Sequence, residues 1–229
     1  MKTVNPPHLL LVTLILALAP IASRAAQPPA TTPDGLALVK DAQADLVYRR
    51  PGISFAGYKK ILLVEPTIAF RKHWQTDVQM ENPKHPVSGE DMEKMIAKGK
   101  ALLLEAFVAE LTKAGYTIAE GVGPDTLALK PALLDVDVYV PDPNNLASGM
   151  SKTYTDGAGE ATLVLELYDS ETRQLLARAF DVKGGKGDNY TWRVPRNQAT
   201  NLIAAENALG SWAAMFVRGL ERAKTAQAP

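Results

Sequence analysis

The run Tyr58-Lys59-Lys60-Ile61-Leu62-Leu63-Val64-Glu65-Pro66 places the tightest limit on the fold. Four aliphatic residues in succession, with no polar member, suit a strand covered on both faces. A short apolar run also suits a piece of buried helix, but Pro66 closes this one before a helix reaches useful length. The run therefore reads as the central strand of a sheet, with later helices covering it.

A covering helix follows. Ser88 can cap it, and Glu90 and Asp91 lie in its first turn. Met92, Ile96, Leu103, Phe107 and Leu111 then fall on one face at three- and four-residue spacing. Gly99 interrupts that stripe, at a cost of about 1 kcal/mol relative to alanine, and marks either a close approach or nothing. Gly115 stands where a left-handed terminating residue is wanted, and Met92 and Met95 read as core filler. Tyr116 to Ala119 is the next strand, completing a right-handed strand–helix–strand crossover. A second helix starts near Asn197, with Leu202, Ala205, Leu209, Trp212, Phe216 and Leu220 on one stripe.

The other strands read from alternation. Leu133 to Val140 places Leu134, Val136, Val138 and Val140 on one face and Asp135, Asp137 and Tyr139 on the other. Ala161 to Tyr168 and Leu175 to Val182 form a hairpin about the Asp169-Ser170-Glu171-Thr172 turn. Leu36 to Val47 has weak helical spacing before the Pro51-Gly52 turn, and Gly121 to Asp125 is a turn. Pro141 to Gly159 and Gly184 to Gly187 are loops. The expected fold is α/β (α+β): a mixed sheet of four to six strands covered by two main helices, in one domain over residues 40–222.

The N-terminus reads as an export signal: Lys2, then an apolar stretch from Leu9 to Ala19, then Pro20 and Ser23-Arg24-Ala25. Eleven residues are too few to cross a bilayer, which takes roughly 20. Residues 1–25 are thus expected to be cleaved, leaving no transmembrane segment. Residues 26–39 read as a disordered proline-rich tether, and 223–229 as a polar tail.

Removing Lys2 and Arg24 with the signal leaves 23 basic against 25 acidic side chains, a balance that argues against a nucleic-acid partner. With no cysteine there is neither a disulfide framework nor a thiol for lipid attachment. A periplasmic or secreted protein that is not a lipoprotein is the expectation.

No catalytic motif stands out. His73 and His85 are twelve positions apart across Pro83 and lack metal-helix spacing, so neither a metal nor a cofactor is expected. Asp135 and Asp137, with Asp142, can hold calcium or act as a carboxylate pair only if they face a cleft near Glu166 or Asp181. A solvated strand face is the plainer reading. Gly184-Gly185-Lys186-Gly187 lacks the spacing and the following hydroxyl of a phosphate loop. No serine sits in a Gly-x-Ser-x-Gly elbow, and Asn189-Tyr190-Thr191 is a bare glycosylation match. Phe70, Arg71, Lys72, His73 and Trp74 form the most prominent cluster. They read either as a partner-contact patch, since arginine and tryptophan are enriched at hot spots, or as an edge strand or loop whose ring packs inward while its charges remain solvated.

Several stretches carry a family resemblance. They are Tyr48-Arg49-Arg50-Pro51-Gly52, Leu127 to Val136, the hairpin from Leu165 to Thr172 with Leu175-Leu176-Ala177 and Phe180-Asp181, and Ser211-Trp212-Ala213. Together they resemble the bacterial envelope family catalogued as domain of unknown function 3313, over roughly residues 40 to 222. The resemblance implies export, often as a lipoprotein, and carries no catalytic residue set. The leading expectation is a non-enzymatic accessory protein of the cell envelope with a protein partner. The alternatives are a binder of a small or lipidic ligand between sheet and helices and, third, an enzyme built on Asp135, Asp137 and Asp181.

Overall fold

A computed structural model describes residues 27–138, 154–155, 159–184, 194–195 and 198–225. The expected signal, Asp142 with most of the Pro141–Gly159 loop, Gly185-Lys186-Gly187 and Asn189-Tyr190-Thr191 lie outside the described residues. The elements in chain order are β1 (Ala37–Leu38), β2 (Leu46–Arg49), β3 (Lys60–Leu63), β4 (Thr67–Phe70), α1 (Trp74–Glu81), α2 (Gly89–Lys113) and β5 (Thr117–Ile118). There follow β6 (Thr126–Val138), β7 (Tyr154–Thr155), β8 (Gly159–Asp169), β9 (Leu175–Gly184), β10 (Val194–Pro195) and α3 (Gln198–Thr225). Eight strands form one open mixed sheet in the order β1-β2-β9-β8-β6-β3-β5, with β4 also paired to β6, while β7 and β10 form a separate two-stranded ladder. The α+β class holds, with more strands than the four to six expected.

Strand β6 is the hub. On one side it pairs antiparallel with β8, and on the other it runs parallel to β3 and then to β4. Leu63 pairs with Leu129 and Thr67 with Ala132, so the break between β3 and β4 falls opposite Lys130 and Pro131. Proline has no N–H to give to a ladder, and the neighbouring strand is interrupted at that place. This corrects the reading of the 61–64 run as the central strand. It lies between β6 and the two-residue edge strand β5; Ile61 is fully buried, but Leu62 and Val64 are only half-buried.

Helices α2 and α3 cover one face of the sheet. Leu103, Phe107 and Leu111 from α2, with Leu209, Trp212, Ala213, Val217 and Leu220 from α3, close over Leu127, Leu129, Leu133, Leu163, Leu165 and Leu167. Each such side chain contributes roughly 1.5–3 kcal/mol by leaving water. The start of α2 is a capping box, with Asp91 N–H donating to Ser88 Oγ and Ser88 N–H to Asp91 Oδ2. Gly115 ends it at φ 87°, as its position predicts. Gly99 faces Ile68 of β4 at ordinary contact distance. Strands β3 and β5 are adjacent and parallel across the α2 crossover.

Five other points of the sequence reading change. Leu36–Val47 is not helical: it holds β1 and the start of β2, which pair antiparallel. Residues 27–39 are no loose tether: Leu36 is fully buried, Thr31 bridges to Ala37, and the Tyr48 hydroxyl donates to the Pro29 carbonyl. Strand β6 begins at Thr126 rather than Leu133, and helix α1 was not foreseen. Helix α3 runs on to Thr225, where Lys224 lies over the Tyr116 ring.

Candidate protein-interaction surface

The 70–74 cluster divides in two. Trp74 is buried at 1% exposure, stacks against Phe70 with ring centroids 4.4 Å apart, and donates its indole N–H to the Val138 carbonyl. Val78 and Val87 complete this satellite core. Arg71 clamps the edge of β6 to α1: its Nε donates to Asp137 Oδ2 at 2.6 Å, and its Nη1 donates to Asp77. Hydrogen bonds from Arg71 to Asp77 and Asp137 hold its guanidinium firmly protonated. Of the five, only Lys72 and His73 are exposed, and His73 takes a left-handed backbone at φ 65° to enter α1. Trp74 and Arg71 thus have partners within the chain, while Lys72 and His73 are exposed.

The carboxylates named in the sequence are not brought to one place. A bulge between Leu134 and Asp137 takes Asp135 out of the ladder with φ 51°, so Val136 and Leu133 both face the core. Asp137 pairs with Arg71. Asp181 is buried on the helix side, where it accepts from Trp212 Nε1 at 2.7 Å and from the Asp45 N–H at 3.1 Å. Glu166 stands on the opposite face of the sheet.

Beside Asp181 an open groove of about 410 Å³ runs between α3 and the sheet, lined by Gln43, Lys183, Ser211, Met215 and Arg218. Lys183 donates to Ser211 and lies 4.9 Å from the Trp212 ring centroid, while Arg218 Nε donates to Gln43. Among the described residues this is the place that matches a ligand site between sheet and helices.

The sheet face turned away from the helices is the more extensive surface. Registers across β6, β8, β9 and β2 order it into rows. One is Lys130–Glu166–Arg178–Tyr48, and the next is Ala132–Val164–Phe180–Leu46. Beyond them lie Leu134–Thr162–Val182 on one side and Leu62–Ala128–Tyr168 on the other. Apart from buried Tyr48, these residues are half-buried, or exposed as Lys130 and Val182 are. The segment before β1 lies over this face at Tyr48.

The charged row continues onto that segment. Lys130 Nζ lies 3.7 Å from Glu166, Arg178 is 2.8 Å from Glu166, and its other arm is 2.8 Å from Asp34. Burial alone raises the Glu166 pKa, but hydrogen bonds from Tyr168 and Arg178 and the charges of Arg178 and Lys130 bring it below its ordinary value. Burial, and then the Glu166 carboxylate, push the Tyr168 hydroxyl up to about 12. Sequence reasoning missed this row, although the alternation of Leu163, Leu165 and Leu167 with Thr162, Val164 and Glu166 announces two unlike faces.

The architecture is that of an α+β chain whose open mixed sheet carries helices on one side. The chain belongs to the family described as protein of unknown function, DUF3313, matched over residues 31–216. No curated protein matches. Among solved structures it is similar to the PelC dodecamer from Paraburkholderia phytofirmans at 15% identity, covering 74% of this chain and 96% of that one, with a TM-score of 0.35. It is also similar to protein XCC0632 from Xanthomonas campestris, of family DUF330, at 12% identity, covering 77% and 91%, with a TM-score of 0.35. These are loose likenesses and say nothing of shared assembly or ligand.

Proposed function

We propose that this chain is an exported, non-catalytic accessory protein of the bacterial cell envelope that presents its open sheet face to a protein partner. The observation that carries the reading is that face itself, with Leu134, Val164, Phe180 and Val182 beside a charged row and none of the described helices over them. Large contiguous apolar surface rimmed by polar groups marks interaction sites. The N-terminal apolar stretch ending at Ser23-Arg24-Ala25 supports export. A photo-crosslinking residue at Phe180, introduced in envelope-bearing cells, is expected to give a discrete protein adduct. A probe at Glu105 on the outer side of α2 is expected to give none. Equal labelling from both positions, or none from Phe180, overturns the proposal; finding the protein only in the cytoplasmic fraction overturns its export.

A second reading rests on the groove at Asp181. Its volume of about 410 Å³ lies within the roughly 300–1,000 Å³ of small-molecule sites, and it combines a methionine wall with a few polar groups. Native mass spectrometry of the purified protein checks it. A retained small molecule that is lost in Met215→Trp supports ligand binding, and an unliganded mass from every preparation removes it.

A further inference from the structure

We infer that the partner this sheet face fits is a second copy of the same chain, packed face to face about a two-fold axis running along the strands. This rests on the reading of the open face as an interaction surface and names its occupant. The ground is the order of the charges. From β6 outward the row reads Lys130, Glu166, Arg178, Asp34, so the signs alternate and their number is even. A two-fold axis parallel to the strands, through the midpoint of the row, keeps each residue's height along the strands and reverses its position across them. Lys130 then faces the copy's Asp34, and Glu166 faces its Arg178. Each directly facing pair has opposite signs, while a shift by one position would set like charges together, so the row favours one register over others.

The same operation lays the apolar row on itself. Val164 comes over the copy's Phe180 and Ala132 over its Leu46, rows that the strand registers already align. Strand directions are preserved, which is the aligned mode in which two sheets pack about 10 Å apart. The segment before β1 stands proud of the sheet over Tyr48, where its Pro29 carbonyl accepts the Tyr48 hydroxyl. The reversal sets that ridge against the copy's β6–β3 side, where no described element rises from this face. Five strands at about 4.8 Å spacing, and six residues at about 3.3 Å rise, make a patch of roughly 480 Å² per copy. Two such patches reach about 1,000 Å², the lower bound for a specific interface, so the dimer is expected to be weak and concentration-dependent.

The test is sedimentation of the purified protein from about 1 to 100 µM, a range that brackets micromolar dissociation. A monomer–dimer equilibrium is expected. Lys130→Glu and Asp34→Lys are each expected to weaken it about tenfold or more, and the double variant, which restores opposite signs across the interface, to recover it. Thermal unfolding of each variant confirms that it folds. A monomer throughout the range overturns the inference, as does a dimer indifferent to both single changes, or a folded double variant that does not recover. The two readings fail separately. A monomer that still gives a Phe180 adduct with a different protein sinks self-association alone, whereas a monomer with no adduct sinks both.

Discussion

Leu165 and Val164 are neighbours in sequence and sit on opposite faces of the same strand. Leu165 is 3% exposed beneath α2 and α3, whereas Val164 lies half-buried on the bare side between Ala132 and Phe180. The covered face is apolar and rich in leucine, and its polar exceptions have partners, as Asp181 does in Trp212. The bare face mixes small apolar groups with a fully engaged row of charges. The difference teaches that β8 is a strand of the antiparallel kind, with one face devoted to the core and the other available for contact.

The largest effect that bears on this contrast lies in the satellite core. Trp74→Ala is expected to cost about 3–5 kcal/mol, as loss of a buried aromatic does, measured by urea unfolding. A full-strength fold with impaired crosslinking would instead return Trp74 to the contact surface. Next comes the direct comparison. Leu165→Ala is expected to cost about 2–5 kcal/mol, and Val164→Ala about 1 kcal/mol or less in the monomer, because two half-buried methyl groups leave little cavity. Equal losses would mean that the bare face is covered after all.

A smaller effect comes from acid. The folded-state pKa of Glu166 is lowered, so its contribution is present above its ordinary value of 4.5 and is lost as pH falls through the folded value. Lys130, Arg178 and Tyr168 face it directly, with Asp34 beyond Arg178. Glu166→Gln is expected to flatten that part of the acid side of the stability profile, followed by unfolding midpoints between neutral pH and pH about 3. An unchanged profile would show that the row carries no stability of its own. The smallest effect has the opposite sign. Gly99→Ala is expected to stabilise by about 0.5–1 kcal/mol, because the added methyl group meets only the Ile68 side chain at 3.6 Å; a loss on thermal unfolding would reveal a tighter α2–β4 contact.

Long periodic elements were legible. The Ser88 cap, the α2 stripe, the α3 stripe and the 161–182 hairpin each state their partner or period in adjacent residues. What escaped did so for local reasons. Pro131 sits inside β6, and the bulge at Asp135 shifts the phase of alternation, so the strand announced only its second half. Helix α1 is one short segment near Pro83 with only Trp74 and Val78 buried, too few to set a period. The 70–74 cluster showed its chemistry but not its direction, because Trp74 is committed by Val138, which lies 64 positions later. The charged row is the same kind of case: its members come from Asp34, Lys130, Glu166 and Arg178, and only the registers align them.

The position of β2 at the far end of the sheet also sets an order of events. Asp45, just before β2, donates its N–H to Asp181, 136 positions further on, and Asp45 Oδ2 accepts from Val182. A chain made from its N-terminus therefore carries the β1–β2 pair through most of its synthesis with the other side of β2 unpaired. Their closure waits for β9, itself placed by β8. Such non-local pairing is slow, and an unpaired strand in the meantime is a template for the wrong neighbour. For this topology the first strands made wait for one made late, so a holding chaperone acts most usefully on residues 37–49.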